Sequence, residues 1–216
     1  MRHYRHIIWD WNGTLLNDAW LCLDVMNNAL RKRGLPELSE TRYQEIFTFP
    51  LLEYYRQAGF TFETETFEEA GSEFMEEYDA RRYECALQHG AEELLEALFA
   101  EECQQYVLSA YHHEGLTHIL EHFGIHHHFK TIQGLDDIYA RGKIKQGIQL
   151  AEVLGDQRPF ALLIGDTLHD AEVAAAMEID CVLIPGGNQP HEKLSTAKAR
   201  MFDSLKDFHA EWQHSR

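Results

Sequence analysis

Five short apolar runs, separated by stretches with helical periodicity, restrict the range of folds open to this chain. They cover residues 7–9, 106–109, 129–132, 160–164 and 181–184. Short, nearly continuous apolar runs are typical of strands that are covered on both faces of a parallel sheet. Parallel strands require long crossover connections, which the helical stretches can supply. We therefore predict an α/β fold, with a Rossmann-like parallel sheet sandwiched between helices.

The segment between the first two runs has helical periodicity alone. We predict helices there over residues 18–33, 40–47, 51–58 and 65–85. Asn17 or Asp18 would cap the first of them. Because strands and helices do not alternate in this segment, residues 17–86 are predicted to form an all-helical cap inserted after the first strand. The core domain would then comprise residues 1–16 and 87–216.

The composition limits the possible partners. The 216 residues carry a formal net charge of −17, from 36 acidic and 19 basic side chains, which argues against a nucleic-acid partner. No apolar run approaches the roughly 20 residues of a membrane-spanning helix, so no membrane association is expected. The first strand begins close to the N-terminus and leaves no room for a signal peptide. We expect a cytoplasmic protein whose four cysteines are reduced thiols; its oligomeric state stays open.

Acidic side chains follow two of the predicted strands. Asp10 comes directly after the first, and Asp166 and Asp170 come after the fourth. Because the carboxyl ends of parallel strands meet at one edge of a sheet, we expect these carboxylates to converge. Three carboxylates repel one another unless a cation lies between them, and oxygen ligands favour Mg²⁺ over Zn²⁺. The alternative is that Asp166 merely caps the helix that begins near Leu168.

The stretch from Asp10 to Leu15, Asp-Trp-Asn-Gly-Thr-Leu, resembles the first motif of the haloacid dehalogenase superfamily, which is usually Asp-x-Asp-Gly-Thr-Leu. Three later features resemble the other motifs in the same order: Ser109 at the end of the second strand, a lysine before a helix, and Gly-Asp-x-x-x-Asp from Gly165 to Asp170. The helical insert resembles the cap of the C1, phosphoglycolate phosphatase-like branch. This resemblance implies a Mg²⁺-dependent phosphatase that acts on a small phosphorylated metabolite.

The resemblance also implies a role for each acid. Asp10 would attack the phosphorus and form an aspartyl-phosphate, which water then hydrolyses. Asp10, the backbone carbonyl of Asn12 and Asp166 would hold Mg²⁺. Asp170 would support this metal site.

A set of substrate contacts follows from the same resemblance. Ser109 would donate a hydrogen bond to a phosphate oxygen, with Thr14 and Ala110 also at the substrate. Either Lys143 or Lys145 would neutralise the phosphate and the attacking aspartate. We favour Lys143 because it precedes the predicted helix.

Other residues are weaker candidates. The break around Phe49 lies where caps of the C1 branch face the substrate, so Phe49 and Arg56 are candidate specificity residues. His169 lies within the fourth motif and is a target for mutation. Lys130 and Arg141 are expected to be solvated surface charges.

Asn12 departs from the family pattern. In such phosphatases the second aspartate protonates the leaving oxygen and then deprotonates the attacking water, and an amide can do neither. Four explanations stay open. The leaving group needs no proton, another group such as a cap histidine or a bound water replaces the acid, the protein is a slow phosphatase or a phosphate-binding relic, or deamidation of Asn12-Gly13 restores the carboxylate.

Two other functions are compatible with the same residues. The string Asp-Trp-x-Gly-Thr is also similar to phosphonoacetaldehyde hydrolases, C–P hydrolases in which a cap lysine forms a Schiff base. The one lysine of the predicted cap is Lys32, at a helix end. The other alternative is a non-catalytic module that binds a phosphate ligand or a protein. The run 126–128, three histidines, is interpreted as a polar loop, since no acid or cysteine spacing completes a zinc site.

Overall fold

The computed structural model describes residues 3–139 and 142–214, so Met1, Arg2 and Arg141 lie outside the described part of the chain. It confirms the predicted α/β class. The strands are, in chain order, β1 (His6–Trp9), β2 (Leu16–Asn17), β3 (Ala86–Leu87), β4 (Gln104–His112), β5 (Phe129–Leu135), β6 (Ala161–Gly165), β7 (Asp180–Leu183) and β8 (Arg200–Met201). The α-helices are α1 (Ala19–Lys32), α2 (Glu40–Ile46), α3 (Leu51–Ala58), α4 (Phe67–Arg81), α5 (Ala91–Ala100), α6 (His113–His122), α7 (Ile144–Leu154), α8 (Leu168–Met177), α9 (His191–Leu194) and α10 (Leu205–His214). Among these described helices, none has the length and apolar character that crossing a membrane requires.

Six parallel strands form the central sheet, in the order β5-β4-β1-β6-β7-β8. From β1 the chain continues outward through β4 and β5, and then returns to β6 on the other side of β1. The strand order therefore reverses between β1 and β6, and open α/β sheets bind ligands outside the carboxyl ends of the strands at such a point. Asp10 and Asp166 directly follow these two strands.

Side chains that alternate along the strands fill a core on each face of the sheet. Ile7 and Trp9 of β1 belong to the larger core, which includes Leu94 of α5 and Phe208 of α10. Ile8 belongs to the opposite core, which α7 and α8 cover. All three β1 side chains are fully buried, which explains why the run is apolar at every position rather than at alternate ones.

Helices α1 to α4 enclose a third core that is rich in aromatic side chains. Their starts follow from local capping: the Ser39 hydroxyl accepts from the N–H of Arg42, and Thr66 and Glu69 form a capping box. The short strands β2 and β3 pair antiparallel where the chain enters and leaves this segment. The division into a cap and a core stays a prediction, and this pairing at the predicted boundaries supports it.

Several local predictions are wrong. Strand β4 continues to His112 instead of ending at Ser109, because it bulges after Leu108 and then pairs with β5 again. The helix predicted over residues 65–85 ends at Arg81, where a 3₁₀ turn begins. Strands β2, β3 and β8 were not predicted, because two residues are too few to produce a recognisable apolar run.

Candidate active site

Three buried carboxylates lie together at the carboxyl edge of the sheet. Asp10 follows β1, Asp166 follows β6, and Asp170 lies in the first turn of α8. One oxygen from each lies within 4.8 Å of the others, and their exposed fractions are 8%, 0% and 1%. The structure therefore brings together the three acids that were predicted to converge.

Lys143 lies between two of these acids, at the N-cap of α7. Its Nζ donates to Oδ1 of Asp10, lies 2.7 Å from Oδ1 of Asp170, and donates to the backbone oxygen of Leu108 at 2.9 Å. The side chain is 2% exposed, whereas Lys145 is exposed on the surface. The structure thus places Lys143, and not Lys145, among the acids.

The charges of this cluster alter its acidities. Burial and then repulsion from Asp170 raise the pKa of Asp10 to about 6, although Lys143 opposes this. Burial and the charges of the other two acids raise the pKa of Asp166 well above its ordinary value. Burial acts in the same direction on Asp170, but the attraction of Lys143 prevails and lowers its pKa. The cluster thus contains one lysine and three acids, so its net charge is negative when all of them are ionised.

Two glycines lie so close to the Asp166 carboxylate that no larger side chain fits beside it. A Cβ atom at Gly13, whose φ is +79°, or at Gly187 would collide with Oδ2 of Asp166, so both positions require glycine. The Thr14 hydroxyl lies 3.3 Å from Oδ2 of Asp10 and 3.1 Å from Oδ1 of Asp166. Thr14 therefore contacts the carboxylates, and its contact with the substrate stays a prediction.

Asn188 is a site residue that the sequence analysis missed. Its backbone N–H and its side-chain amide donate to Oδ2 of Asp166 at 2.5 and 3.1 Å, and the amide also contacts the backbone oxygen of Asn12 at 3.3 Å. Its Oδ1 accepts from the Tyr43 hydroxyl of α2 at 2.6 Å. The available signal was its position in the loop after the last predicted strand, since that loop lies at the same sheet edge as Asp10.

Ser109 and Ala110 lie at the bulge of β4, rather than at the strand end where they were predicted. Ser109 is 1% exposed, and its Oγ accepts from the N–H of Tyr111 at 3.0 Å. Both residues line the same cavity as Asp10 and Lys143. Their role in binding phosphate stays a prediction, and their position beside the acids is compatible with it.

The cavity extends from the acids into the helical segment. It encloses about 970 Å³ of empty space, including the part that is open to solvent, and Asn12 lies at its acidic end. Away from the acids the wall is mostly aromatic or aliphatic, and includes Phe47, Phe49, Tyr54, Phe67, Phe74 and Tyr78. An enclosed apolar space with a few convergent polar groups is typical of a small-molecule site.

The two weaker cap candidates have different outcomes. Phe49 lines the cavity and stacks on His169, with ring centroids 4.7 Å apart. His169 in turn accepts from the backbone N–H of Lys143 at 3.1 Å through Nε2. Arg56 is exposed and pairs with Glu53 at 3.6 Å, and it is not among the residues that line the cavity.

The sequence and the fold match known proteins over most of the chain. The sequence profile of the haloacid dehalogenase-like hydrolase family matches residues 7–184. The chain belongs to this family. The family is described as one of hydrolases, and the proteins that resemble this chain include a 5'-nucleotidase and a predicted phosphatase.

Three relatives illustrate the range of this similarity. The chain is 31% identical over 185 residues to the tyrosine-protein kinase PtkA of Mycobacterium tuberculosis, which covers 84% of this chain and 62% of PtkA, so it spans less than two thirds of that relative. It is 27% identical over 193 residues to a 5'-nucleotidase of Pseudomonas aeruginosa, covering 88% and 87% of the two chains. The crystal structure of a predicted phosphoglycolate phosphatase from Haemophilus somnus superposes with a TM-score of 0.77 at 23% identity, over 99% of this chain and 100% of that one.

Asn12 replaces the usual aspartate of the haloacid dehalogenase-like family, and the structure provides it with an unexpected partner. Its Nδ2 donates to Oδ2 of Asp18 at 2.7 Å and to the Tyr78 hydroxyl at 2.8 Å. Asp18 stands at the N-cap of α1, as predicted, but it makes no capping bond there. Its carboxylate accepts instead from the N–H of Gly13 and from Tyr78. Both amide hydrogens of Asn12 are thus engaged, which leaves Oδ1 as the atom available to a ligand.

Asp18 is fully buried, and the family resemblance did not predict its position. Burial raises its pKa, against the hydrogen bonds that it accepts from Asn12, Tyr78 and Gly13. A carboxylate is therefore missing at position 12 but present in direct contact with it. Sequence analysis assigned Asp18 a different task because helix capping is the common role of an aspartate before an apolar helix.

Two further predictions concern residues outside this site. The Lys32 side chain is 58% exposed and pairs with Glu73 at 2.6 Å, so it does not reach the cavity. The histidine run forms a 3₁₀ turn, and Glu96 of α5 lies beside His127 and His128, with one ligand atom from each within 4.8 Å. This proximity arises between separate elements, so sequence spacing does not reveal it.

Proposed function

We propose that the protein is a Mg²⁺-dependent phosphatase that hydrolyses a small phosphorylated metabolite through an aspartyl-phosphate on Asp10. The observation that carries this proposal is the buried contact of Lys143 with Asp10 and Asp170, beside Asp166. Removing charged groups from water is unfavourable, so a cluster of this kind is better explained by chemistry than by stability. Such a cluster suits phosphoryl transfer, which depends on positioning and on charge neutralisation.

The groups that would hold Mg²⁺ are the carboxylates of Asp10 and Asp166 and the backbone carbonyl of Asn12. They are hard oxygen ligands, which this ion prefers. Burial of like charges raises the pKa of both acids, and a divalent cation would remove that repulsion. When bound, the ion supplies positive charge to the phosphoryl oxygens. Asp170 faces Lys143 and would support the site from there.

The reaction would proceed in two steps. A carboxylate oxygen of Asp10 attacks the phosphorus, the bond from phosphorus to the ester oxygen breaks, and that oxygen leaves with the electron pair and takes a proton from solvent. Water then attacks the phosphorus of the aspartyl-phosphate, which releases inorganic phosphate and restores the Asp10 carboxylate. Lys143 orients the attacking carboxylate and offsets its charge. Ser109 and Ala110 would contact the phosphate oxygens, and Thr14 would hold Asp10.

The alternatives have less support. The Schiff-base mechanism needs a lysine of the cap that reaches the cavity, and Lys32, the one lysine of the predicted cap, is paired with Glu73 on the surface. A non-catalytic module has no need for a nucleophilic carboxylate whose lysine partner is buried with it.

Release of inorganic phosphate from a panel of phosphate monoesters tests the proposed activity. We expect turnover with Mg²⁺ and none after chelation, because the acids would then repel the substrate. The exposed Asp203→Asn variant, at the far edge of the sheet from Asp10, is a matched control and should behave as the wild type. Stabilisation by phosphate without turnover of any ester would contradict catalysis and favour a binding module.

Mg²⁺ should stabilise the protein more at about pH 7.5 than at about pH 5. The pKa of Asp10 is raised to about 6, so the folded protein holds a proton there that the unfolded chain holds less tightly. The stability this proton contributes is complete below the ordinary pKa of an aspartate and is lost as the pH rises through about 6. Mg²⁺ competes with this proton and therefore gains affinity over the same interval. Thermal unfolding with and without Mg²⁺ across this range measures the effect. Asp166→Asn should abolish most of it, and a gain that is independent of pH would contradict metal binding by Asp10.

A further inference from the structure

We propose that the substrate is a phosphate monoester of an uncharged aromatic alcohol, of the phenyl phosphate type, rather than a phosphorylated carboxylic acid. This inference rests on the proposed phosphatase function and specifies its substrate class. Two independent features carry it: the chemistry of the cavity wall and the amide at position 12.

The cavity wall offers flat apolar surfaces and almost no positive charge. The helical segment contributes aromatic side chains to this wall, and Met75 adds a flexible apolar contact. The aromatic residues are Phe47, Phe49, Tyr54, Phe67, Phe74 and Tyr78. Aromatic rings stack favourably on one another, and Met sulfur also contacts ring edges well. An aromatic group of the substrate would therefore leave water and contact the aromatic rings and Met75 on several sides.

The only Lys or Arg among the described residues that line the cavity is Lys143, and the one histidine of that lining, His112, already pairs with Asp79 at 3.1 Å. The charge of Lys143 is already shared by Asp10 and Asp170. A substrate that carries a carboxylate or a second phosphate beyond the ester would have to bury that anion against aromatic rings without a cation. Burial of an unpaired charge is strongly unfavourable, so the wall selects against phosphoglycolate and against bisphosphates.

The amide of Asn12 points to the same class of substrate through a separate argument. An alkyl ester leaves as a strongly basic alkoxide, which benefits from an acid that donates a proton during bond cleavage. A phenol is much more acidic, near the pKa of about 10 of the tyrosine side chain, so its oxygen leaves without a proton. The amide of Asn12, whose hydrogens are held by Asp18 and Tyr78, cannot donate a proton to the leaving oxygen. Its presence should therefore slow the cleavage of an aryl ester less than that of an alkyl ester.

A panel of four esters separates the two features. Phenyl phosphate is aromatic with a phenolic leaving group, benzyl phosphate is aromatic with an alkoxide, cyclohexyl phosphate is apolar without aromaticity, and phosphoglycolate is an anionic alkyl ester. We expect kcat/KM for benzyl phosphate to exceed that for phosphoglycolate by on the order of 10–100-fold, because both leave as alkoxides and differ in how they fit the wall. Phenyl phosphate should exceed benzyl phosphate chiefly in kcat.

Binding provides a readout that does not depend on turnover. Phenylphosphonate and phosphonoacetate cannot be hydrolysed at an ester bond, and they differ in the group that would contact the wall. We expect phenylphosphonate to bind with Mg²⁺ at least about tenfold more tightly by isothermal titration. Tighter binding of phosphonoacetate would overturn the inference whether or not turnover is detected.

A single substitution should reverse the preference. Met75→Lys introduces a cation into the wall from α4, with a stem long enough to cover the same apolar surface. We expect it to raise kcat/KM for phosphoglycolate and lower that for benzyl phosphate, so that the ratio of benzyl phosphate to phosphoglycolate falls by about tenfold or more. Met75→Leu keeps the wall apolar, so benzyl phosphate should remain the better substrate of that variant. If Met75→Lys does not fold, the wild-type panel and the phosphonate titration still decide the question.

The possible failures can be told apart. Preference for phosphoglycolate over benzyl phosphate overturns the substrate class and leaves the phosphatase function intact. No turnover of any of the four esters with Mg²⁺ contradicts the phosphatase function, and the phosphonate titration then still tests the preference of the wall for an aromatic ligand.

Discussion

The Asp10→Asn variant should lose on the order of 10⁴-fold or more of its rate of phosphate release, which is the scale of effect seen when a nucleophile is removed from a hydrolase. An amide at this position cannot form the acyl-phosphate intermediate. The loss should occur without unfolding. Burial and the repulsion of Asp170 already disfavour the ionised form of Asp10, so its neutral replacement should leave the melting temperature of the metal-free protein unchanged or higher.

The measurements for this variant are single-turnover phosphate release and thermal unfolding without metal. Asp203→Asn makes the same chemical change at an exposed position and should retain full activity. If Asp10→Asn keeps more than about a tenth of the wild-type rate, Asp10 is not the nucleophile. If it loses activity together with several degrees of melting temperature, the loss reports on folding and the assignment of Asp10 needs trapping of the aspartyl-phosphate.

The second large effect concerns the amide at position 12 and the carboxylate of Asp18 that contacts it. The double variant Asn12→Asp/Asp18→Asn restores a carboxylate at position 12 and supplies an amide as its neighbour, so the polar network keeps the same net charge. We expect the rate with alkyl esters to rise by on the order of 10²–10³-fold, because a carboxyl group there can donate and accept a proton. The rate with phenyl phosphate should change by less than about tenfold.

The single variant Asn12→Asp is the matched comparison. In this variant two buried carboxylates would replace the Asn12–Asp18 contact, which now measures 2.7 Å. Either one carboxylate retains a proton, or their repulsion lowers the free energy of unfolding by about 1–3 kcal/mol. We expect its melting temperature to fall as the pH rises and its gain in rate with alkyl esters to be smaller than that of the double variant. Equal gains for alkyl and phenyl esters in the double variant would contradict a role for position 12 in proton transfer.

The positions of the three clustered acids could be predicted because they follow from topology. Short apolar runs identify buried strands, parallel strands place their carboxyl ends at one edge, and Asp10, Asp166 and Asp170 follow two such runs. Lys143 could be preferred over Lys145 because a residue before a helix can point toward the strand ends, whereas one in its first turn follows the helix surface.

Other features depend on contacts between distant segments and could not be predicted. Asn188 contacts Asp166 through a loop, and loops have no periodicity from which their path can be inferred. Asp18 was assigned to helix capping because local sequence favours that role, and its contact with Asn12 and Tyr78 depends on how α4 packs. The bulge that extends β4 beyond Ser109 is set by pairing with β5, which the sequence of β4 alone does not contain.

The hydrogen bond between Tyr43 and Asn188 links the position of α2 to the environment of Asp166. Asn188 accepts from the Tyr43 hydroxyl and donates to Oδ2 of Asp166. A displacement of α2 away from the sheet edge must either break the first bond or draw Asn188 away from the carboxylate. If passage of substrate or product moves α2, the hydrogen bonding of Asp166 would change with it. The affinity for the proposed metal ion would then vary with the opening of the cavity.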